Sequence, residues 1–334
     1  MYGIHPYSFN GKKKTTGFYF KVLPPYLLSR LFRLAKIFKY VREHTELIKV
    51  LKPFRQYPLI RKRTSLIYLF SYLSDKLSTK NKIQILTTHY LFLQEMFSSS
   101  GLKQLFEDGI ECWSETINDE KLCIKLTHSS YLEFEGSLSL TLTLNGRWIY
   151  KLSFTIAPGI HFNVVEDKII YISALQGKVG ELNAISAVTK SINDLVPSTI
   201  LMSVLEGIAL STGVKKIIGI NSEQQLSFSK EIEATHYSNY DIYWESQGGI
   251  LMSNGNYLFD CPLQSKPIEA IKSKYRSRTI IKRAKRAEIA TQSFITFSSF
   301  IKKEFRPSIS QLYFQKALIY LPALLKISEL GSTL

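Results

Sequence analysis

The chain has 334 residues, 45% of them hydrophobic, with 43 Lys and Arg against 27 Asp and Glu and a net charge of +16 at pH 7. The hydrophobic share excludes a disordered chain, and the length suits one large domain or two ordinary ones. The positive excess calls for an anionic partner: acidic headgroups, nucleic acid, a phosphorylated ligand or an acidic protein. In chain order, the triplet Lys12-Lys13-Lys14 comes first, then an apolar stretch broken by Lys21 and by Pro24-Pro25. That interruption argues against a secretory signal, and the best candidate for a spanning helix, Val196–Thr212, carries Glu206 in its middle and reads as a buried helix. A cytoplasmic protein is expected, peripheral at the inner membrane face. The prolines open a helix expected to reach Lys52 and stop at Pro53. Its Leu27, Leu31, Leu34, Phe38 and Val41 share an arc, while Arg30, Arg33, Lys36, Lys39 and Arg42 fan around the rest. Such a helix either lays its stripe on a core or faces lipid or nucleic acid. Arg61-Lys62-Arg63 adds a basic knot. Further helices are expected near Leu66–Leu77, from Ser78 or Thr79 to Phe97, and in a short piece ending at Gly109.

The period then changes. Leu122, Ile124 and Leu126 alternate with polar neighbours, as do Leu138, Leu140, Leu142 and Leu144. Asn145-Gly146 is a strong hairpin signal, and Trp148, Tyr150, Leu152, Phe154 and Ile156 form the returning face. Pro158-Gly159 turns the chain into a strand over Lys168–Ala174. A glycine turn, Gln176-Gly177-Lys178-Val179-Gly180, leads into a helix from Glu181 to Ile192. Pro197 starts another helix, which stops at Thr212-Gly213. Lys215–Ile220 reads as a strand parallel to an earlier one, because a helix separates them. An aromatic segment, Tyr237–Trp244, ends at Gly248-Gly249, and Asn256–Pro262 closes the sheet. From Ser265 the chain is basic and helical, and a weak apolar helix, Leu312–Leu325, is broken by Pro322.

The expected fold class is α+β. A basic, mostly helical region spans 1–115. A mixed sheet with packed helices spans 116–265, and a basic helical arm and tail spans 266–334. Residues 1–63 hold fifteen Lys and Arg against two Glu, and 266–306 hold twelve against three, while 64–265 lean acidic. The two arms are therefore expected to share a surface and a partner.

Three separated cysteines, Cys112, Cys123 and Cys261, form no C-x-x-C pair, which indicates a reducing compartment. The six histidines are scattered without ligand spacing, so no metal site is expected. The turn Gln176–Gly180 is the best candidate for chemistry. Its amides and the helix N-terminus behind it suit an anion such as a pyrophosphate, with Lys178 or Lys190 neutralising it. The alternative is a tight turn that uses glycine for backbone freedom. Asp241 and Glu245 lie four apart among Tyr240, Tyr243 and Trp244. They are either a catalytic acid and base in an aromatic pocket or turn caps and ion-pair partners beside an aromatic anchor.

The order of meander, strand, glycine loop, helix, parallel strand, Tyr-rich segment and final strand resembles the acetyltransferases of the GNAT superfamily. There a Gln/Arg-x-x-Gly-x-Gly/Ala loop cradles the pyrophosphate of coenzyme A. Here the loop is one residue tighter, and Gly248-Gly249 stands where a Gly-Phe pair is usual. The resemblance implies acyl-CoA or acyl-carrier protein as donor, Gln176, Gly177, Lys178, Gly180 and Lys190 as donor-binding residues, and Tyr240, Asp241, Tyr243 and Glu245 at the reaction centre. A second resemblance rests on several motifs together. These are Glu135-Gly136, Tyr150-x-Leu-Ser-Phe154, Leu175-Gln176-Gly177, Thr189-Lys190, Pro197, Tyr240-Asp241-x-Tyr-Trp244-Glu245 and Ser273-Lys274-Tyr275-Arg276-Ser277-Arg278. Over residues 89–286 they are similar to the VirK/YbjX family of Gram-negative bacteria. That likeness implies a role in virulence and in lipid A or envelope adaptation against antimicrobial peptides. Trp244, Lys274, Arg276 and Arg278 would then contact substrate or anion. Acidic acyl-carrier protein and an anionic membrane both suit the basic arms. A non-catalytic binder of anionic lipid or nucleic acid is the alternative, nucleic acid being the weaker because no RNP1-type signature is present.

Overall fold

The computed structural model describes residues 25–60, 64–129, 134–226 and 240–306. The features expected at Lys12–Lys14, Arg61–Arg63 and Leu312–Leu325 lie outside these residues. The chain divides into two units, Met1–Lys39 and Tyr40–Leu334. In the first unit, α1 (Pro25–Lys39) starts on a proline, whose fixed φ suits a first helical position. It ends one residue before Tyr40, whose φ of −119° and ψ of 34° are not helical. The single helix expected to reach Lys52 is therefore two helices.

In the second unit, α2 (Val41–Leu51) buries Leu47 and Leu51 and packs on α3 (Thr79–Met96). Ser78 caps α3 by accepting from Asn81 N, and Ser98 caps α4 (Ser99–Glu107) by accepting from Gly101 N. The helix expected over Leu66–Leu77 is replaced by a 3-10 turn, Thr64–Leu69. Beyond it, Tyr72 turns inward, and its hydroxyl lies 2.6 Å from Ser137 Oγ and 3.4 Å from Thr155 Oγ1. This tertiary demand overrides local helix propensity.

Among the described residues, one mixed sheet of eight strands has the order β1-β2-β3-β4-β5-β6-β8-β7. Its strands are β1 (Ile110–Ile117), β2 (Glu120–His128), β3 (Leu138–Leu144), β4 (Arg147–Pro158), β5 (Lys168–Gly177), β6 (Lys216–Gly219), β7 (Ile250–Leu251) and β8 (Tyr257–Asp260). Every neighbouring pair is antiparallel except β5 and β6, which are parallel. The meander forms as its alternation requires: Leu126 pairs with Leu140, and Leu140 with Leu152. Asn145 and Gly146 both have positive φ at the hairpin. The sheet begins earlier than the alternation suggests, because a bulge between Glu111 and Trp113 breaks the period of β1.

Between β5 and β6 run α5 (Leu182–Ser191) and α6 (Pro197–Thr212), the latter closed by Gly213 at φ 70°. Helix α6 packs on β3, β4 and β5 and buries Ile200, Leu201, Met202, Val204, Leu205 and Ile208. Each such side chain contributes roughly 1.5–3 kcal/mol. Its Glu206 is also buried, and Oε1 accepts from Leu263 N at 2.9 Å. A short α7 (Tyr240–Ser246) leads into β7. The last described helix, α8 (Ser273–Ser298), lies against α6 and β1. A Cβ on Gly207 would stand 2.4 Å from Ala290 O, so the two helices meet where only glycine fits. Among the described residues, no helix is long and apolar enough to cross a membrane.

Candidate functional site

The site grows from the one parallel pair. Strands β5 and β6 pair at Ile170 with Ile217, Tyr171 with Ile218 and Ile172 with Gly219, and Ile220 N then donates to Ile172 O at 3.0 Å. Beyond that point β5 continues to Gly177 without β6 beside it. The parting coincides with a bulge. Ser153 pairs with Ala174 but Phe154 pairs with Ile172, which leaves Ser173 as the extra residue. A bulge bends its strand and sharpens the local twist. Ser173 Oγ donates to the backbone oxygen of Glu135, which steadies the bend.

The open side of β5 needs a new partner for its backbone, and α7 supplies it. Leu175 N donates to Tyr240 Oη at 2.6 Å, and Gln225 Nε2 donates to the same oxygen at 2.9 Å. Tyr240 is buried, and burial pushes its hydroxyl well above the usual range, opposed by the Leu175 hydrogen bond. Tyr243 is pushed up by the same cause, with Ser198, Thr199 and the charge of Arg286 acting the other way. Trp244 is fully buried. Its Nε1 donates to Ile220 O at 2.7 Å, and its ring lies so close to Gly219 that a Cβ there would come within 2.6 Å. Trp244, expected to contact substrate or anion, is thus packed against β6. Asp241 Oδ1 accepts from Ser222 N at 3.3 Å, and Glu245 Oε1 accepts from Tyr257 Oη at 3.4 Å. Of the two readings left open for these carboxylates, the turn-capping one matches the contacts of Asp241.

The glycine turn follows directly. Gln176 Nε2 reaches Glu135 Oε2 at 3.4 Å, and Lys178 N is spent on Ile149 O at 2.9 Å. Gly180 has φ 85° and no atom within 4 Å of a notional Cβ, so it is required by conformation alone. Gly177 differs. Its notional Cβ would stand 2.9 Å from Ile185 Cδ1, the movable end of a side chain, and 3.2 Å from Tyr150 Cε2, so a side chain there would have to displace its neighbours. The cation Lys178 is not idle. Its Nζ lies 3.9 Å from Glu181 and 5.4 Å from the Trp148 ring, and Arg147 lies 3.4 Å from the same carboxylate. Lys190 does not join the turn, because it sits in the last turn of α5, about 12 Å along the axis from Leu182 at 1.5 Å per residue.

The basic residues of α8 form a separate group. Arg278 pairs with Asp194 at 2.8 Å, just past α5. Arg276 donates to Ile271 O and Glu269 O, which ties the helix start to the turn before it. Lys274 lies 4.9 Å from the ring of Tyr275. Among the described residues, no group of three or more His, Cys, Asp or Glu could hold a metal ion. Gln225 and Ser173 were not singled out from sequence. They sit in runs without period or motif, and only the fold brings them to Tyr240 and Glu135.

A family described as "Protein of unknown function (DUF535)" matches residues 19–288. The chain belongs to the DUF535 family. Within it, the chain is 26% identical over 214 residues to the Escherichia coli (strain K12) protein named "Uncharacterized protein YbjX". The match spans 62% of this chain and 63% of the relative's length. The likeness to the VirK/YbjX family, drawn from motifs over 89–286, is thereby borne out. In DUF535 terms, the Tyr240 site and the glycine turn both fall inside the matched region.

Proposed function

We propose that the site is a thioester donor site of an acyltransferase, in which Tyr240 is the acid. The observation that supports this is the hydroxyl of Tyr240 at the parting of β5 and β6, bonded to Leu175 N. An acyl group passing from a thioester to an amine or hydroxyl leaves a thiolate, which needs a proton. A tyrosine hydroxyl is protonated at neutral pH and can donate one, and the hydrogen bonds that Leu175 N and Gln225 Nε2 give its oxygen would steady the tyrosinate left behind. The proton that the attacking nucleophile loses returns to solvent or to the tyrosinate. A strand order with one parallel pair, followed by the glycine turn and α5, is also what the GNAT resemblance implies for a donor site. An arriving pyrophosphate would compete with Glu181 for Lys178 and Arg147. The extended arm of the donor would take over the Leu175 amide.

The test is calorimetric titration of the full chain with acyl-CoA and with acyl-carrier protein, followed by turnover assays. Tyr240→Phe is expected to bind the donor and lose about 100-fold or more in turnover. A wild type that binds neither donor, or a Tyr240→Phe variant with unchanged turnover, sinks the reading.

A second reading, of a membrane-surface role in envelope or lipid A adaptation, is favoured by α1. Its Leu31, Phe32, Leu34 and Phe38 are exposed between Arg30, Arg33, Lys36 and Lys39. An apolar stripe flanked by cations suits anionic headgroups. Sedimentation should show binding to anionic vesicles that weakens with salt, since screening acts within about 10 Å at 0.1 M. Equal binding to neutral vesicles would refute it.

A further inference from the structure

The three tryptophans of the chain are not alike. Trp113 and Trp244 are buried, while Trp148 is 39% exposed at the start of β4. Beside it, the glycine turn and the start of α5 carry Val179 and Leu182, which are 91% and 77% exposed. The two segments are held together, since Lys178 N donates to Ile149 O at 2.9 Å and Lys178 Nζ lies 5.4 Å from the Trp148 ring. Arg147 and Lys178 flank this apolar group. The carboxylate between them, Glu181, is the least exposed of the three, its side chain being 13% exposed against 59% for Arg147 and 36% for Lys178. The tip therefore presents aliphatic side chains outermost, with an indole and two cations one step behind.

Charge and area choose the partner. The opposite end of β4 and β5 also exposes apolar side chains, Ile160 and Val165. There Val165 is followed by Glu166 and Asp167, and Lys168 is paired with Glu95 at 2.8 Å, so an anionic surface finds no open cation beside Val165. At the glycine-turn end the exposed apolar group stands with exposed cations instead. Two aliphatic side chains and one indole fall short of the roughly 800 Å² that each partner buries in a stable protein interface. A bilayer asks for less, because apolar insertion and headgroup attraction add together. Tryptophan favours the headgroup level, and a chain of net charge +16 is drawn to an anionic leaflet. The β1–β2 turn at this end carries Asp119 and Glu120, two strands from β4, which confines the contact to the tip of β4 and β5.

We propose that the glycine-turn tip is a lipid-contact element, in which Val179 and Leu182 enter the acyl boundary of an anionic bilayer and Trp148, Lys178 and Arg147 lie at headgroup level. In that orientation the end of β5 that bears the Leu175–Tyr240 hydrogen bond faces the bilayer. The contact belongs to the second unit. It rests neither on the exposed stripe of α1 nor on the acyl-donor reading, because it needs only the exposure and charge of the tip.

Trp148 is its own reporter. The full chain is titrated with vesicles of phosphatidylglycerol and phosphatidylcholine, and tryptophan emission and acrylamide quenching are followed. On binding, the emission of Trp148 should shift to the blue and its quenching should fall, and Trp148→Phe should abolish both changes. Val179→Ser combined with Leu182→Ser should weaken vesicle binding about tenfold or more, because two aliphatic side chains no longer leave water. Both positions are exposed, so this variant keeps the fold. Sedimentation of the same mixtures separates the tip from α1: Phe32→Ser with Phe38→Ser should leave the Trp148 shift in whatever protein still binds. The proposal is overturned if no vesicles bind, or if bound protein keeps the Trp148 emission and quenching of the free chain. It is equally overturned if the shift follows protein concentration without lipid, as a second copy on the tip would cause, or if the Val179 and Leu182 double variant binds as the wild type does.

Discussion

Two buried histidines should make this fold sensitive to mild acid. His89 in α3 has no exposed surface, and His128 ends β2 at 7% exposed. Ile156 N donates to His89 Nδ1 at 3.3 Å, so the ring's one proton sits on Nε2. A second proton would have to go onto Nδ1, facing the Ile156 N–H. Tyr90 Oη lies 2.9 Å from His128 Nε2. Burial lowers His89 from 6.5 to about 3, with His128 adding to the effect, and burial lowers His128 to about 4. Unfolded, both titrate near 6.5. Above that pH neither state binds the protons and the fold is not penalised. As pH falls below 6.5, the unfolded chain takes up two protons that the folded chain refuses, and stability drops until the folded values are reached. The slope is about 1.4 kcal/mol per pH unit for each histidine. Between pH 6.5 and 5 this amounts to roughly 2 kcal/mol each, or about 4 kcal/mol, against a total stability of about 5–15 kcal/mol. Urea melts at pH 7, 6 and 5 measure it. A double variant, His89→Asn and His128→Gln, keeps an acceptor at each bonded position without titrating. It should leave only the small slope due to His44 and His161, whose pKa values burial also lowers. Equal stability at pH 7 and 5, or a double variant with the full wild-type slope, would refute the reasoning.

Gly207→Ala should destabilise by about 1–3 kcal/mol or more, because a methyl is driven onto Ala290 O in a close-packed contact; the midpoint of a denaturant melt reads this. Gly180→Ala should cost about 1–2 kcal/mol through its positive φ alone, whereas Gly177→Val should cost more, because its side chain meets Ile185 and Tyr150; matched thermal melts would show the order. The thiols should separate by reactivity. Burial raises Cys112 to about 12 and Cys123 to about 11, so half-buried Cys261 should be alkylated first in the folded protein, as peptide mapping would show.

What could be read from sequence followed local rules. The meander from Leu122 to Ile156 was legible because period-two alternation meets an Asn-Gly turn, and α6 because Pro197 starts it and Gly213 stops it. The parallel placement of β6 followed from the helices before it. Features with non-local causes were not legible. Trp113 breaks the alternation of β1 because a bulge stands before it. The aromatic run at Leu66–Leu77 resembles a helix until Tyr72 finds Ser137 and Thr155, far along the chain. At the candidate site, Gln176–Gly180 and Tyr240–Glu245 were each visible as local patterns. Their relation was not, since the bond between Leu175 N and Tyr240 Oη joins residues 65 apart.

The ends of the sheet bear on solubility at high concentration. An open sheet offers two margins of unpaired backbone, and each can template a strand from another molecule. Here one margin is β7, only two residues long, too short a rail for a second chain to follow. The other is β1, which is kinked by its bulge and backed by α8. A long hydrophobic sheet is thus closed to growth at one end by brevity and at the other by distortion. Removing the β1 bulge by deleting one residue would straighten that margin, and self-association should then appear in the folded state.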